Sequence, residues 1–308
     1  MIMPNILGKE FECINKILSK LPSSGVGDDC AIIQAGSKKL LISTDSFVEG
    51  VHFSLKYFSL KEVGYRCAEA AISDLAAMGA KPLYLLLSIS SPSTQNIIPI
   101  SLGIGRSLRS HKIKLIGGDT TKSDSVMLNI TVIGESKKPI KRSGAKKGDL
   151  VFISSYTGLS CAGLEAINNN IKGFNILKKA HKEPKAKAKE GLTISKIATS
   201  MIDISDSLAS ELHHLAYASK VSIEIDRLPI HKEIKRLSKL NRTNPLKYVL
   251  YGGEDYHLLY TTNKKNKKKA IGFCIGRVVG NNSTTKKVWL KKDGRKKLVD
   301  PKKGFLHF

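Results

Sequence analysis

Acidic side chains set among glycine, serine and threonine are the part of this chain with the clearest chemical potential. The chain has 26 acidic residues against 51 lysines and arginines, and many of the acidic ones fall in compact motifs. Five motifs stand out: GVGDDCA, STDSFVEGVHF, SDLAAMGAKP, IGGDTT and MIDISDSL. Carboxylate and hydroxyl oxygens suit hard cations such as Mg²⁺, and glycine lets a backbone approach a phosphate closely.

Two of these motifs hold carboxylates whose charge needs a partner. Asp28 and Asp29 are adjacent after two glycines, and neighbouring carboxylates repel each other unless a cation or hydrogen bonds hold them. Asp74 lies among small and apolar neighbours in a predicted helix over residues 61–78, where an unpaired buried carboxylate is unfavourable. A metal would supply the partner in both places. The alternatives are a plain turn for the first motif and a helix N-cap for the second.

A third motif follows a predicted strand over residues 40–44. This strand delivers Ser43, Thr44 and Asp45 at its end, and the loops at strand ends are where folds present chemistry. Hydroxyl and carboxylate oxygens together predict a cation site there. His52 follows seven residues after Asp45 and would contact an anion; an ordinary surface or core histidine is the alternative.

The last two motifs combine a carboxylate with a backbone that suits phosphate. Gly118 and Asp119 end a short apolar run, as expected of a phosphate-binding turn beside a metal or of a glycine-rich turn without a ligand. Asp203 ends a predicted strand, and Ser205 and Asp206 begin a helix. A helix N-terminus offers free N–H groups to an anion, although Asp206 there is also a good partner for the helix dipole.

Together the five motifs indicate a multi-metal site for phosphoryl transfer. The chain contains no Walker A sequence and neither the HRD nor the DFG motif of protein kinases. Gly103 and Gly105 resemble part of a dinucleotide fingerprint, but the third glycine is missing. If ATP is the phosphoryl donor, a different fold must bind it.

The length suits two domains of ordinary size or one large domain, and the composition predicts a globular protein. Of the 308 residues, 41% are hydrophobic and 25% are charged, enough for ample cores. We find no apolar run of bilayer length and no signal peptide, so we expect a cytoplasmic protein with no membrane partner. The five cysteines are scattered without a CxxC pair, which argues against a disulfide framework or a zinc site.

The formal net charge of +25 allows two interpretations. A basic excess is typical of nucleic-acid-binding proteins or of proteins with acidic substrates. The lysines here are dispersed and few aromatic residues lie among them, so there is no obvious platform for stacking bases. We therefore favour a solvated lysine-rich surface and expect no specific nucleic-acid partner.

Helix-like and strand-like segments alternate along the chain, which predicts a mixed α and β architecture. Strands are predicted over residues 40–44, 82–90, 125–135, 150–154 and 201–203. Helices are predicted over residues 61–78, 96–109 and 206–218. The polar, basic stretch 137–149 marks a domain boundary, with an N-terminal domain over 1–138 and a C-terminal domain over 139–308. The lysine-rich stretch 177–191 is predicted to be an exposed loop.

The motifs also resemble, in order and spacing, those of the thiamine-monophosphate kinase family. The resemblance covers residues 25–260 and adds RSGAKKGDLVFIS and LYGGEDYHLLY to the motifs above. It implies the α/β (α+β) two-domain fold of the aminoimidazole-ribonucleotide synthetase superfamily, with an N-terminal sheet that forms a dimer interface. It further implies a homodimer that uses ATP and Mg²⁺ to convert thiamine monophosphate to thiamine diphosphate.

The resemblance assigns roles to individual residues. The implied magnesium ligands are Asp28, Ser43, Thr44, Asp45, Asp74, Asp119, Asp203 and Asp206. The implied nucleotide contacts are Gly118, Asp119, Arg142 and Ser205, and the implied substrate contacts are His52, Glu254 and Phe305. We take Asp45, Asp119 and Arg142 as the catalytic residues of a direct in-line transfer, in which the acceptor phosphate is already anionic and needs no general base.

Three positions depart from the family pattern, and two other readings stay open. Ser207 replaces a glycine, Ser101 replaces a tyrosine, and Phe305 stands where tryptophan or tyrosine is common. Another member of the superfamily, such as a selenophosphate synthetase or a hydrogenase-maturation ATPase, is the first alternative. Cys13 has a lysine three residues later, but its plain helical setting is unlike a reactive cysteine. A basic nucleic-acid-binding protein is the second alternative.

Overall fold

The computed structural model describes residues 9–280 and 286–304 and contains two β-sheets with helices packed against them. The helices are α1 (Lys9–Lys20), α2 (Leu60–Ala77), α3 (Ile97–His111), α4 (Leu159–Asn168), α5 (Asn175–Lys182), α6 (Ala188–Ile194), α7 (Leu208–Ala218), α8 (Lys232–Leu240) and α9 (Leu246–Tyr251). The strands are β1 (Ala31–Ala35), β2 (Lys38–Val48), β3 (Lys81–Ser91), β4 (Lys114–Lys122), β5 (Met127–Ser136), β6 (Leu150–Ile153), β7 (Ala198–Asp203), β8 (Ser222–Ile225), β9 (Leu258–Thr262), β10 (Phe273–Gly280), β11 (Val288–Lys292) and β12 (Arg295–Leu298).

The first sheet has the strand order β1-β2-β5-β3-β4 and is antiparallel except for the parallel pair β3 and β4. Its two faces differ, because the side chains of a strand alternate between them. In β5, Leu128, Ile130 and Val132 are buried, while Asn129 and Thr131 point to the opposite side. Helices α2 and α3 cover one face, whereas none of the described helices packs closely on the other face, which we call the uncovered face.

Helix α2 contacts strands of both sheets. Ser59 begins it with a capping box in which Ser59 and Glu62 each bond the other's backbone N–H, an arrangement that fixes a helix start. The helix is rich in alanine and is buried on most sides. It crosses α3 closely at Gly64 and Gly103, where an added Cβ would clash with backbone atoms of the facing helix. Small residues are thus required for this packing.

The second sheet has the strand order β12-β11-β8-β10-β6-β9-β7. Its pairs are antiparallel except for β11 with β8. Helix α7 packs on it through Leu208, Leu212 and Leu215, which join a core of aliphatic side chains from the strands. A smaller core holds α4, α5 and α8 together.

Two predictions from the sequence are wrong in this fold. Residues 177–191 are not an exposed loop, because α5 and α6 occupy most of them and Leu177 and His181 are buried against the rest of the protein. Of the lysines that suggested exposure, Lys179, Lys185 and Lys189 are exposed, whereas the others are half-buried. The IGGDTT motif is not a turn, since it lies within the edge strand β4.

The stretch 137–149 contains no helix or strand and connects the two sheets. Helix α2 nevertheless touches both halves of the chain, since it contacts β2 and β5 as well as α6 and β7. The domain division at residue 138 therefore stays a prediction. Among the described residues, no helix is both long enough and apolar enough to cross a membrane.

Candidate active site

Three carboxylates from distant parts of the chain meet at one point. Asp29 lies in the loop before β1, Asp74 in the last turn of α2, and Asp203 at the end of β7. One oxygen of each lies within 4.8 Å of the other two. Three negative charges at this separation repel one another unless a cation or protons lie between them.

Neighbouring side chains hold each carboxylate in place. Arg142 donates from Nε and Nη2 to Asp29 Oδ1 at 3.2 and 2.8 Å, and Ser73 Oγ donates to Asp203 Oδ2 at 2.7 Å. Ser43 Oγ donates to Asp74 Oδ2. The cluster is therefore positioned by the fold before any ligand arrives. Ser43, Thr44 and Asp45 lie in the middle of β2 and not at its end as the sequence predicted, because the strand continues to Val48.

One buried oxygen of the cluster lacks a hydrogen-bond partner among the described residues. This atom is Asp29 Oδ2, which is buried. The other oxygen of the same carboxylate, Oδ1, accepts from Arg142. A buried carboxylate oxygen without a partner is unfavourable. A divalent cation such as Mg²⁺ binds to hard oxygen donors, and it would give this oxygen a partner. The converging carboxylates therefore fit such an ion.

Burial raises the carboxyl pKa values in the cluster. It raises the pKa of Asp203 to about 7 and that of Asp45 to about 6. It also raises the pKa of Asp74 well above its usual range, and nearby Asp45 adds to this shift. The pKa of Asp29 rises for the same reason, although Arg142 opposes the rise. The protein alone thus disfavours the charged forms that a cation would stabilise.

The structure brings Asp29, and not Asp28, into this cluster. Asp28 Oδ1 accepts the Arg142 backbone N–H at 3.0 Å, and Asp28 Oδ2 lies 3.6 Å from Lys141 Nζ. Asp28 thus lies outside this group of three carboxylates, and its role as a magnesium ligand stays a prediction. Adjacent residues in a bend direct their side chains differently, and the sequence alone did not reveal which of the two faces the other carboxylates.

Thr44 and Asp119 lie on the opposite face of the first sheet from the cluster. The Thr44 hydroxyl contacts Thr131 and Asn129 on the uncovered face. Asp119 is exposed and lies in register with Asn129 across β3, so its side chain points to the same face. Asp45 points to the helix-covered face. Because β2 and β4 are separated by two strands, Asp119 lies about 14 Å across the sheet from Asp45. A single chain does not bring Asp119 into the cluster.

Gly118 has a packing reason to be glycine. A Cβ at this position would clash with the carbonyl group of Leu87 in the neighbouring strand. The glycine therefore does not by itself indicate a bound phosphate.

A cavity of about 610 Å³ opens beside the cluster. It is lined by the predicted residues Asp45, His52, Asp74, Asp203, Ser205, Asp206 and Glu254. The His52 ring packs edge-on against Phe47, and its Nδ1 accepts the Val48 N–H at 3.0 Å. The fold thus joins most of the acidic motifs to one space large enough for a metabolite.

Glu254 lines the same cavity as Asp45, Asp74 and Asp203. Its backbone has a φ of +63°, which is uncommon for a residue other than glycine. Its carboxylate forms an ion pair with Arg66, a buried residue of α2. The predicted substrate contact Phe305 lies outside the described residues.

Known proteins are similar to this chain over nearly its full length. The family model for "AIR synthase related protein, N-terminal domain" matches residues 27–136. The thiamine-monophosphate kinase of Buchnera aphidicola (subspecies Schizaphis graminum) is 37% identical, over 97% of this chain and 98% of its own length. The chain belongs to the thiamine-monophosphate kinase family.

Solved structures of the family have the same fold. The complex of AaThiL with AMPPCP and TMP has a TM-score of 0.88 and 34% sequence identity, over 100% of this chain and 99% of that one. The fold class predicted from the sequence is confirmed. Hydrogenase maturation protein HypE in complex with ATP, at 17% identity and a TM-score of 0.71 over 92% of this chain and 89% of that one, shares the fold alone.

The departure from the thiamine-monophosphate kinase motif at Ser207 is well accommodated. Ser207 has a φ of −178°, an extended conformation open to any residue, and its hydroxyl accepts the Ser210 N–H as the N-cap of α7. Serine is a favoured N-cap residue. The replacement of the family's glycine therefore adds a helix cap at no conformational expense.

Sequence reasoning missed several residues of the site. Asp29 was visible within the GDD motif, but Arg66 and His181 gave no signal. Arg66 is a charged residue within a predicted helix, and His181 lies within a lysine-rich stretch. Both settings predict a side chain on the surface. Both are in fact buried beside the cavity. Only the packing of α5 against α2 reveals them.

Proposed function

We propose that this protein transfers the γ-phosphoryl group of ATP to thiamine monophosphate and so forms thiamine diphosphate. The observation that carries the proposal is one cavity whose lining includes Asp74 and Asp203 of the carboxylate cluster as well as Glu254. Family membership and the nucleotide analogue and TMP in a related structure support the same reaction. Cytoplasmic location remains a prediction.

We propose Asp29, Asp45, Asp74 and Asp203, with Ser43, as the group that holds Mg²⁺, and Asp206 as a further ligand at the cavity wall. Mg²⁺ held there would neutralise charge between the ATP polyphosphate and the acceptor's single phosphate, which is the main requirement of phosphoryl transfer. Asp45 faces the cavity from β2, while Ser73 and Ser43 keep Asp203 and Asp74 aimed at the same point. These contacts keep the ligands in place throughout the transfer.

Arg142 and Ser205 are the proposed ATP contacts. A guanidinium carries five donors, and Arg142 gives Nε and Nη2 to Asp29, so further donors remain for a phosphate oxygen. Ser205 lines the cavity in the loop that precedes α7. Since the acceptor phosphate is anionic near neutral pH, with a second pKa of about 6, the site requires no general base.

His52 and Glu254 are the proposed contacts of the acceptor. Both line the cavity, and Glu254 offers a carboxylate to the positively charged part of thiamine monophosphate. The carboxylate cluster would then receive the phosphate end. This orientation would place the reacting phosphates beside the carboxylates that would hold the cations.

We propose that the enzyme is a homodimer that covers the free face of the first sheet. Exposed apolar side chains there and on the edge strand support this, with Tyr84 39%, Met127 40% and Ile116 52% exposed. Asp119 and the Thr44 side chain reach that face and not the cluster of their own chain. In the dimer, Asp119 of one copy would serve the site of the other.

The direct test is ADP release by the purified protein with and without thiamine monophosphate, in Mg²⁺ and in EDTA. We expect turnover only when acceptor and Mg²⁺ are both present. The Asp45→Asn protein should keep its fold and lose nearly all turnover, because a neutral amide is a poorer cation ligand. Acceptor-independent ADP release would contradict the proposed reaction, and near-normal turnover of Asp45→Asn would remove Asp45 from the ligand group.

A further inference from the structure

Arg66 is a buried cation with two partners at the cavity. Only 3% of its surface is exposed. One guanidinium nitrogen donates to the Glu254 carboxylate and the other to the backbone carbonyl of His181. A planar guanidinium that binds two fixed acceptors has a defined orientation, so its carboxylate partner is fixed as well.

The backbone that carries Glu254 is held separately. Its N–H donates to Ser205 O at 2.6 Å, and the N–H of Tyr256 donates to Ile204 O at 2.9 Å. The Asp255 carboxylate accepts the backbone N–H groups of Gly158 and Ser160 at the start of α4. With the backbone fixed, the remaining freedom of Glu254 is in its side chain, and Arg66 removes it.

Helix α2 connects this contact to the carboxylate cluster. Arg66 and Ser73 are seven residues apart, so they lie on one face of the helix about 10 Å apart along its axis. Ser73 holds Asp203 while Arg66 holds Glu254. A single rigid helix therefore sets the separation between the cation ligands and the acceptor-binding carboxylate.

The surroundings of Arg66 leave one oxygen of Glu254 for the cavity. Oε1 is paired with Arg66, and Oε2 lies 3.8 Å from His181 Nδ1. Burial lowers the pKa of His181 to about 2, so this ring adds no positive charge beside the acceptor. The Phe58 ring lies under the guanidinium, 5.5 Å from its central carbon.

We propose that Arg66 is a positioning residue that fixes the Glu254 carboxylate for the acceptor, and that it thereby sets acceptor affinity without taking part in ATP binding. The proposal rests on the proposed function and extends it to a residue of α2. Arg66 acts through Glu254 and touches no reacting atom. Its loss should therefore change the recognition of the acceptor more than the chemical step.

The test compares steady-state kinetics of Arg66→Met and Arg66→Lys with the wild type. We expect Arg66→Met to raise the KM for thiamine monophosphate about 10- to 100-fold, as for other residues that orient a binding group, with the KM for ATP and kcat changed less than about threefold. Arg66→Lys should show a smaller rise, since an ammonium keeps the charge but not the planar pair of contacts.

Arg106→Met is the matched control. Arg106 joins α3 to Glu183 across the same group of helices, at 3.0 Å, without touching Glu254. It should leave the acceptor KM unchanged. In a double-mutant cycle, Arg66→Lys combined with Glu254→Gln should be no worse than Glu254→Gln alone, because the two residues act as one unit.

Each outcome separates the two proposals. If the wild type does not phosphorylate thiamine monophosphate, the proposed function fails. If the wild type is active but the Arg66 variants keep its acceptor KM, or raise both KM values alike, the role of Arg66 is overturned. If Arg66→Met unfolds at the assay temperature, the kinetics of Arg66→Lys and the double-mutant cycle test the proposal instead. If the effects of Arg66→Lys and Glu254→Gln on the acceptor KM multiply in the double mutant, the proposal is overturned.

Discussion

At the scale of single residues, the GDD motif shows how adjacent aspartates differ in their contacts, since only one of them joins the carboxylate cluster. Asp29 faces the carboxylates of α2 and β7, while Asp28 bonds the backbone of Arg142 and lies near Lys141. Both residues have the same chemistry, so only the direction of each side chain distinguishes them. Two predictions belong to this scale.

The first prediction compares Asp29→Asn with Asp28→Asn. Asp29→Asn should lower turnover about 100-fold or more and raise the Mg²⁺ concentration needed for half-maximal activity, because a charged ligand is lost from the cluster. Asp28→Asn should have a much smaller effect, since its contacts are with the protein. A Mg²⁺ titration of turnover measures both, and equal losses in the two variants would contradict the assignment.

The second prediction concerns Asp255, whose pKa burial raises to about 7. The pKa of Asp255 in the unfolded chain is near 3.8, so between these two values the folded state binds the proton that the unfolded state has lost. The free energy of unfolding should therefore fall as pH rises from about 4 to 7, by at most about 1.4 kcal/mol per pH unit, and then level off.

Asp255→Asn provides the control for this titration. Asparagine does not titrate, so the difference in unfolding free energy between the wild type and Asp255→Asn should shrink as pH rises through that window. Urea unfolding at pH 5, 6, 7 and 8 measures it. A difference that is constant with pH would show that Asp255 does not titrate in this range.

At the scale of elements, the close crossing of α2 and α3 sets the position of the site residues that α2 carries. α2 carries Arg66, Ser73 and Asp74, and its position on the sheet depends on Gly64 and Gly103. Hydrophobic patterning predicted both helices within two residues of their bounds. It did not predict the crossing, because that contact depends on residues far apart in sequence.

Gly103→Ala and Gly105→Ala form a matched pair for the third prediction. A Cβ at Gly103 meets the backbone of α2, whereas one at Gly105 meets only the flexible end of Arg109. Gly103→Ala should destabilise the protein by about 1–3 kcal/mol through overpacking. Gly105→Ala should be neutral or stabilising by up to about 1 kcal/mol, because alanine favours a helix. Chemical unfolding compares them, and similar effects would contradict the packing argument.

At the scale of the whole molecule, the position of Asp119 supports the proposed homodimer. Asp45 and Asp119 lie on opposite faces of one sheet and several strands apart, yet the family resemblance assigns both to the same metal site. A dimer that covers the free face would satisfy both facts. The geometry of the single chain thus predicts where the partner must bind.

Mixing two inactive variants tests this arrangement. If Asp45 and Asp119 of different copies share a site, Asp45→Asn mixed and refolded with Asp119→Asn should regain about a quarter of wild-type turnover, since mixed dimers contain one intact site. Each variant refolded alone should stay inactive. If both residues act within one chain, every site of a mixed dimer is damaged and the mixture also stays inactive.

The sequence determined the chemistry and the fold class, while the tertiary structure decided which atoms meet. Motifs of Asp, Ser and Gly at element ends predicted a phosphoryl-transfer site, because the needed donor types are local properties of the residues. Whether Asp28 or Asp29 faces the cluster, and whether Asp119 shares it, depends on side-chain direction across a strand or bend. The buried partner of Glu254, Arg66, became visible only once α2 packed against both halves of the chain, since no local pattern marks a contact between residues 188 positions apart.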